Sequence, residues 1–318
     1  MRFSAIVIAF TLLCTAQVAA QTTSRVTDSE GSAVEEVLVT GEHPGPGLWK
    51  VSRGDHVLWI LGTHAPLPKG LVWRSQEVEL VMTDAQEVID NYSASFTMQD
   101  PDFLASKGKS LRSLLPRKKY AQWLALKKKY IGPAPEVERA LPVTAALLLR
   151  SGAFDRTGLT NADQVWREIY RLAHEYHVPV STAHQVNKVI GSVRADRKSE
   201  QVGVAYLVNT ISNLETELRV ARVRANAWAV GDIGALIGQA DADRISADLY
   251  ASSWPFLQGE ELHSLIAETD RRWLAAAQSA LERNRTALAA LPIIELLRSD
   301  GLLAGLKARG FEVEAPLN

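Results

Sequence analysis

The residues best placed for chemistry in this 318-residue chain are imidazoles. Leu61-Gly62-Thr63-His64-Ala65-Pro66-Leu67-Pro68 follows the apolar run Val57 to Leu61, so His64 stands where a strand gives way to a loop. A histidine there can ligate a metal or move a proton. His174-Glu175-Tyr176-His177, with His184 nearby, invites a second metal reading. Its histidines are three apart and share a helix face, but they lack the four-residue spacing of a zinc helix. A solvated helix end accounts for them better than a metal site does. His43 and His56 fall in a linker and a hairpin. No Gly-x-Ser-x-Gly turn and no glycine-rich phosphate loop is present, which argues against a serine hydrolase and a nucleotide-binding enzyme.

The elements that must position these groups are legible in outline. Leu48 to Ser52 reads as a strand, Arg53-Gly54-Asp55 as a hairpin turn, and Val57 to Leu61 as a central strand. Ser75 is suited to cap a helix that follows it. Gln86 to Asp90 reads as a short strand. Helical patterns cover 110–130, 135–152, 163–177, 197–230, 242–252 and 258–284. Ala287 to Leu291 is strand-like, Pro292 to Ala308 mostly helical, and Phe311 to Glu314 a final strand. The pattern predicts an α+β fold: a small mixed β-sheet from N- and C-terminal strands, flanked by a large helical insertion. Ligand sites in such sheets lie beyond the carboxyl ends of the strands, and here those ends carry His64 and Pro292–Glu295. Trp49, Trp59 and Trp73 either line the mouth of that edge or pack the core. The lysines at 118, 119 and 127–129 read as a solvated helix face or an anionic docking patch.

Residues 1–20 have the form of a secretory signal: Arg2, an apolar core from Ile6 to Leu13, and Val18-Ala19-Ala20 before the cut. The expected location is periplasmic or secreted. Cys14 is the only cysteine, so the mature protein has no disulfide and no thiolate chemistry. Net charge is −1, which gives no nucleic-acid surface, and no transmembrane segment is expected in the mature chain. Residues 21–47 read as a flexible linker, rich in Thr, Ser, Gly, Glu and Pro, and 48–318 as the folded domain. Within the linker, "VEEVLVTGE", Val34 to Glu42, resembles the short segment by which outer-membrane receptors engage the protein TonB. A short edge strand or plain linker is the alternative.

"GLWKVSRGDHVLWILGTHAPLPKGLVWRS" resembles the opening of the TraB/GumN family, which includes Tiki-like metalloproteases. Other matches follow in order: Asp163, the Trp-x-x-Gly-Asp element at Gly231 and Asp232, the pair Arg283-Asn284, and Asp300-Gly301. Together they cover roughly 48 to 316. The resemblance implies two Gly-x-x-His motifs and a carboxylate that hold a divalent metal, which activates water for attack on a carbonyl.

Aligned on Gly62, Thr63 and Pro68, the first family histidine falls on Ala65, with His64 one place early. One residue of slip turns a side chain to the opposite face, although a bend would let His64 swing in. The second motif is replaced by Pro292-Ile293-Ile294-Glu295, and the acidic position is matched by Asp90. The resemblance therefore implies a degenerate member that binds a ligand, peptide or envelope protein without turnover and carries no cofactor. The alternatives are a rebuilt hydrolase in which Asp90, Glu295 and His64 act as acid/base groups or hold a divalent metal, and a TonB-linked accessory acting through residues 34–42.

Overall fold

The computed structural model describes residues 8–10, 37–90, 93–98, 109–183, 185–190, 197–236 and 259–316. The helix expected at 242–252, His184, the part of the expected linker before residue 37 and most of the expected export signal lie outside the described residues.

The centre is a six-stranded mixed sheet made of β1 (Trp49–Arg53), β2 (His56–Thr63), β3 (Val88–Asp90), β4 (Val180–Thr182), β5 (Thr286–Pro292) and β6 (Glu312–Glu314), in the spatial order β4-β3-β5-β2-β1-β6. The first four in that order are parallel; β1 and β6 are antiparallel. The hairpin β1–β2 pairs Arg53 with His56 across Gly54-Asp55, and Gly54 has φ +63°, a conformation open to glycine at no steric cost. β5 is buried from Ala287 to Leu291, as a parallel strand covered on both faces must be. The α+β expectation holds, with one addition. β4 comes from the middle of the chain, where "VPVST" is too short to show a period.

The helices are α1 (Gln76–Asp84), α2 (Arg117–Tyr130), α3 (Pro142–Arg156), α4 (Gln164–Glu175), α5 (Arg197–Ala229), α6 (Gly259–Arg283), α7 (Ile293–Leu297) and α8 (Leu302–Ala308). Ser75 caps α1, its Oγ accepting from the Val78 amide at 3.3 Å. The apolar residues form two cores. One surrounds the sheet; the other is helical, from Leu111, Trp123, Leu149, Leu207 and Leu214 among others. α5 joins them. Its middle, Tyr206 to Ala225, packs in the helical core and its end, Ala227 to Ala229, in the sheet core. Arg150 of α3 pairs with Glu217 of α5 at 3.0 Å and donates to the Tyr206 hydroxyl at 3.0 Å, which fixes these two helices in register. A separate sheet pairs Ser93–Met98 with Gln185–Ile190 and with Ile8–Phe10. Cleavage after Ala20 would remove the last of these strands.

Residues 37–46, expected to be the end of a flexible linker, make backbone and side-chain contacts with the folded elements. Asn226 of α5 clamps the segment, accepting from the Val39 amide at 2.9 Å and donating to the Val37 carbonyl at 2.9 Å. Gly41–His43 pairs parallel with Leu71–Trp73. Trp73 Nε1 donates to the Pro44 carbonyl at 2.8 Å, and the Gly45 amide donates to the Ala229 carbonyl at 3.1 Å. Leu38 packs on the helical core and Val39 on the sheet core. Average composition hides this, because two apolar side chains and backbone hydrogen bonds suffice to tie down a strap. Asn226→Ala should cost about 1–2 kcal/mol and speed amide exchange across residues 37–43. Hydrogen-exchange mass spectrometry checks it; unchanged exchange in that segment would contradict the clamp.

Candidate functional site

The parallel strands deliver their carboxyl ends to one edge, with Thr63 beside Pro292 and Asp90 beside Thr182. Gly62 is required there for a steric reason: a Cβ on it would lie 2.7 Å from Ile293 Cγ1, so a side chain at 62 would push α7 off the sheet. The Gly62 carbonyl accepts from Trp228 Nε1 at 2.7 Å. α5 therefore ends directly on the glycine of the strand-end motif. Gly231 ends α5 with φ +76°, and a Cβ on it would lie 2.9 Å from the Gly45 carbonyl oxygen. Asp232 accepts from the Ala235 amide at 3.1 Å.

His64 follows on the loop. Its Nε2 is buried without a hydrogen-bond partner among the described residues. Burial first, and then the Arg224 guanidinium, lower its pKa to about 3, so the ring is neutral at physiological pH. Because the folded pKa lies below the ordinary value, only the unfolded chain takes up the proton as pH falls below about 6.5. The stability contributed by neutral His64 is present above that pH and declines below it. An NMR titration should show the His64 ring neutral throughout pH 5 to 8; a midpoint near the ordinary histidine value would contradict its burial against Arg224.

Asp90 ends β3 and accepts a hydrogen bond from the Tyr170 hydroxyl at 2.7 Å. Burial, then the bond to Asp90, raise the Tyr170 pKa, so the phenol stays protonated and acts as a donor. Trp166 packs on Tyr170 with centroids 5.4 Å apart. Asp163 caps α4, accepting from the Trp166 amide at 3.2 Å. Burial, and repulsion from Asp90 in addition, raise its pKa against that cap bond. Gln164 donates to the Pro68 carbonyl at 3.2 Å, tying the start of α4 to the loop that carries His64.

Glu295 has different neighbours. It lies in the first turn of α7 and pairs with Arg298 at 3.1 Å, which also pairs with Asp300 at 3.1 Å. Burial raises the Glu295 pKa, Arg298 opposes that, and Asp270 of α6 adds repulsion. Gly301 admits no side chain, since a Cβ would meet the Glu295 carbonyl oxygen at 2.5 Å.

Asp90 is thus brought to Tyr170 and Asp163, His64 to Arg224, and Glu295 to Arg298 and Asp270. Among the described residues, no group of three His, Cys, Asp or Glu side chains has an arrangement that could hold a metal ion. The donors do not fit a divalent metal at the strand ends. Ala65 offers no side-chain donor, the His64 ring is buried with the charge of Arg224 acting against any further cation, and Glu295 is paired with Arg298.

The other motif positions are scaffold. Arg283 and Asn284 reach Glu87 at the opposite end of β3. Asn284 Nδ2 lies 2.6 Å from one carboxylate oxygen and Arg283 3.1 Å from the same one, while the Ser181 hydroxyl donates to the other at 2.6 Å. His174 and His177 form a helix end: the His177 amide donates to the His174 carbonyl and the Val178 amide to Ala173, with His177 at φ 58°. That is a left-handed helix stop. Trp49 and Trp73 are buried and Trp59 packs against the same core, so all three pack the core. No motif points to Tyr170, Arg224, Asp270 or Arg298. Only Arg298 leaves a sequence signal, three residues after Glu295.

A model of the TraB/PrgY/gumN family matches residues 47–315. The curated proteins and the solved structures give no match.

Proposed function

The chain belongs to the TraB/PrgY/gumN family, and on that premise we propose that it is an exported member whose metallohydrolase site has degenerated. It serves the cell envelope by binding a peptide or another protein without turning it over. One observation carries this reading. The implied imidazole positions hold Ala65 and Glu295, and the adjacent His64 is buried and kept neutral, with the charge of Arg224 adding to the cost of protonating it. The family frame persists in Gly62, Trp228, Gly231, Arg283 and Asn284, each engaged in packing or hydrogen bonding.

The rebuilt-hydrolase alternative, with Asp90, Glu295 and His64 in one centre, requires Asp90 to leave Tyr170, Glu295 to leave Arg298 and His64 to leave its buried position. Contact with TonB through residues 34–42 would require residues 37–42 to detach from Asn226 and Leu71–Trp73. No helix among the described residues is long and apolar enough to cross a membrane, which is compatible with export through a cleaved signal.

Turnover is tested with a library of unstructured peptides and esters, with manganese, cobalt or zinc added. Wild type and Asp90→Ala should be equally inactive. Metal-stimulated cleavage by wild type that Asp90→Ala abolishes would overturn the non-catalytic reading.

A further inference from the structure

α2 carries six cations, Arg117, Lys118, Lys119, Lys127, Lys128 and Lys129, and no carboxylate, in a chain of net charge −1. Three of them are engaged by the fold. Lys119 donates to Ser212 Oγ at 2.6 Å, Lys127 pairs with Glu138 at 2.9 Å and Lys129 with Glu215 at 3.1 Å. Arg117, Lys118 and Lys128 have no such partner among the described residues. All three are exposed, on the face opposite the buried Trp123 and Tyr130. Arg117, Ala121, Leu124 and Lys128 follow one another at three- and four-residue intervals and form one outward stripe. Lys118 and Ala125 lie on the stripe beside it. Leu124 is 44% exposed at its middle. Arg112, exposed just before the helix, adds to the same charge.

We propose that this outward face of α2 docks the protein onto an anionic phospholipid surface. Small residues between the cations let several long side chains reach one plane at once, and Leu124 can enter the headgroup boundary as apolar residues of surface-lying helices do. An acidic protein patch would match the charge but has no use for the exposed leucine between the cations. This face is separate from the degenerate site, since α2 belongs to the helical core and not to the strand-end edge. Each cation near such a surface favours binding by roughly fivefold, so three give on the order of a hundredfold.

The test is co-sedimentation of the full chain with phosphatidylcholine vesicles, with and without phosphatidylglycerol. Partition should be on the order of a hundredfold stronger onto the anionic vesicles and should collapse at high salt. The variant Arg117→Glu/Lys118→Glu/Lys128→Glu should lose it while keeping its circular dichroism and melting curve. The milder Arg117→Gln/Lys118→Gln/Lys128→Gln variant serves if the first does not fold. Equal binding to neutral vesicles, undiminished binding by the folded variant, or tighter binding to polyglutamate than to vesicles would each overturn the proposal. The last of these would point to an acidic protein.

Discussion

Trp228→Ala should lower the unfolding free energy by about 3–5 kcal/mol. The indole is fully buried, donates to the Gly62 carbonyl at 2.7 Å, and lies 6.5 Å from the ring of Trp73. It also supports the incoming strap, since a Cβ on Gly45 would meet both Trp73 and Trp228. Removing it empties the junction of α5, β2 and the strap, and leaves a buried carbonyl without its donor. Trp228→Phe separates the two contributions. It keeps much of the packing and loses the N–H, at about 1–3 kcal/mol. Urea unfolding with an unchanged denaturant slope measures both. A phenylalanine variant as stable as wild type would mean that the indole N–H contributes nothing and that the family tryptophan is retained for volume alone.

Glu87→Ala should cost about 2–3 kcal/mol. The carboxylate side chain is 12% exposed and takes bonds from Ser181, Asn284 and Arg283. It links β3 and β4 to the end of α6, so its loss strands three donors at the amino edge of the sheet. Burial alone would raise its pKa, but the bonds from Ser181, Asn284 and Arg283 outweigh that and hold it below the ordinary carboxylate value. The folded pKa is depressed. The stabilisation is therefore complete above the unfolded value and is lost as pH falls through the lower, folded one. Glu87→Gln removes the charge at every pH. Its deficit against wild type should be clear at pH 7 and shrink in acid below the ordinary carboxylate pKa. A deficit independent of pH would show that shape, not charge, is what Glu87 supplies.

The sequence makes the frame readable because the frame rests on local rules. Val57 to Leu61 and Ala287 to Leu291 are apolar throughout, and a strand covered on both faces must be. Ser75 is a cap because its hydroxyl can reach the Val78 amide. The site is less readable because its partners come from far along the chain. The charge of Arg224 acts on His64 from a helix that begins at Arg197, and Tyr170 reaches Asp90 across eighty positions. Spacing within a motif cannot reveal such pairings. The resemblance read in the sequence implies the slip of His64 by one place and a glutamate in place of the second histidine at Glu295. That His64 is buried and Glu295 paired with Arg298 emerges only from the fold. The strap at residues 37–46 shows the reverse difficulty: the Thr, Ser, Gly, Glu and Pro of residues 21–47 taken together conceal a short segment held by its backbone.

The most direct test of a degenerate centre is calorimetric titration of the protein with manganese, cobalt, zinc and calcium, beside Glu295→Ala. Neither protein should bind any of these ions saturably, since Ala65 offers no side-chain donor, His64 is buried under the field of Arg224 and Glu295 is paired with Arg298. Tight binding of one ion by wild type that disappears in Glu295→Ala would contradict this. It would mean that the strand-end groups leave their present partners to form a metal centre, and that the site is rebuilt rather than degenerate.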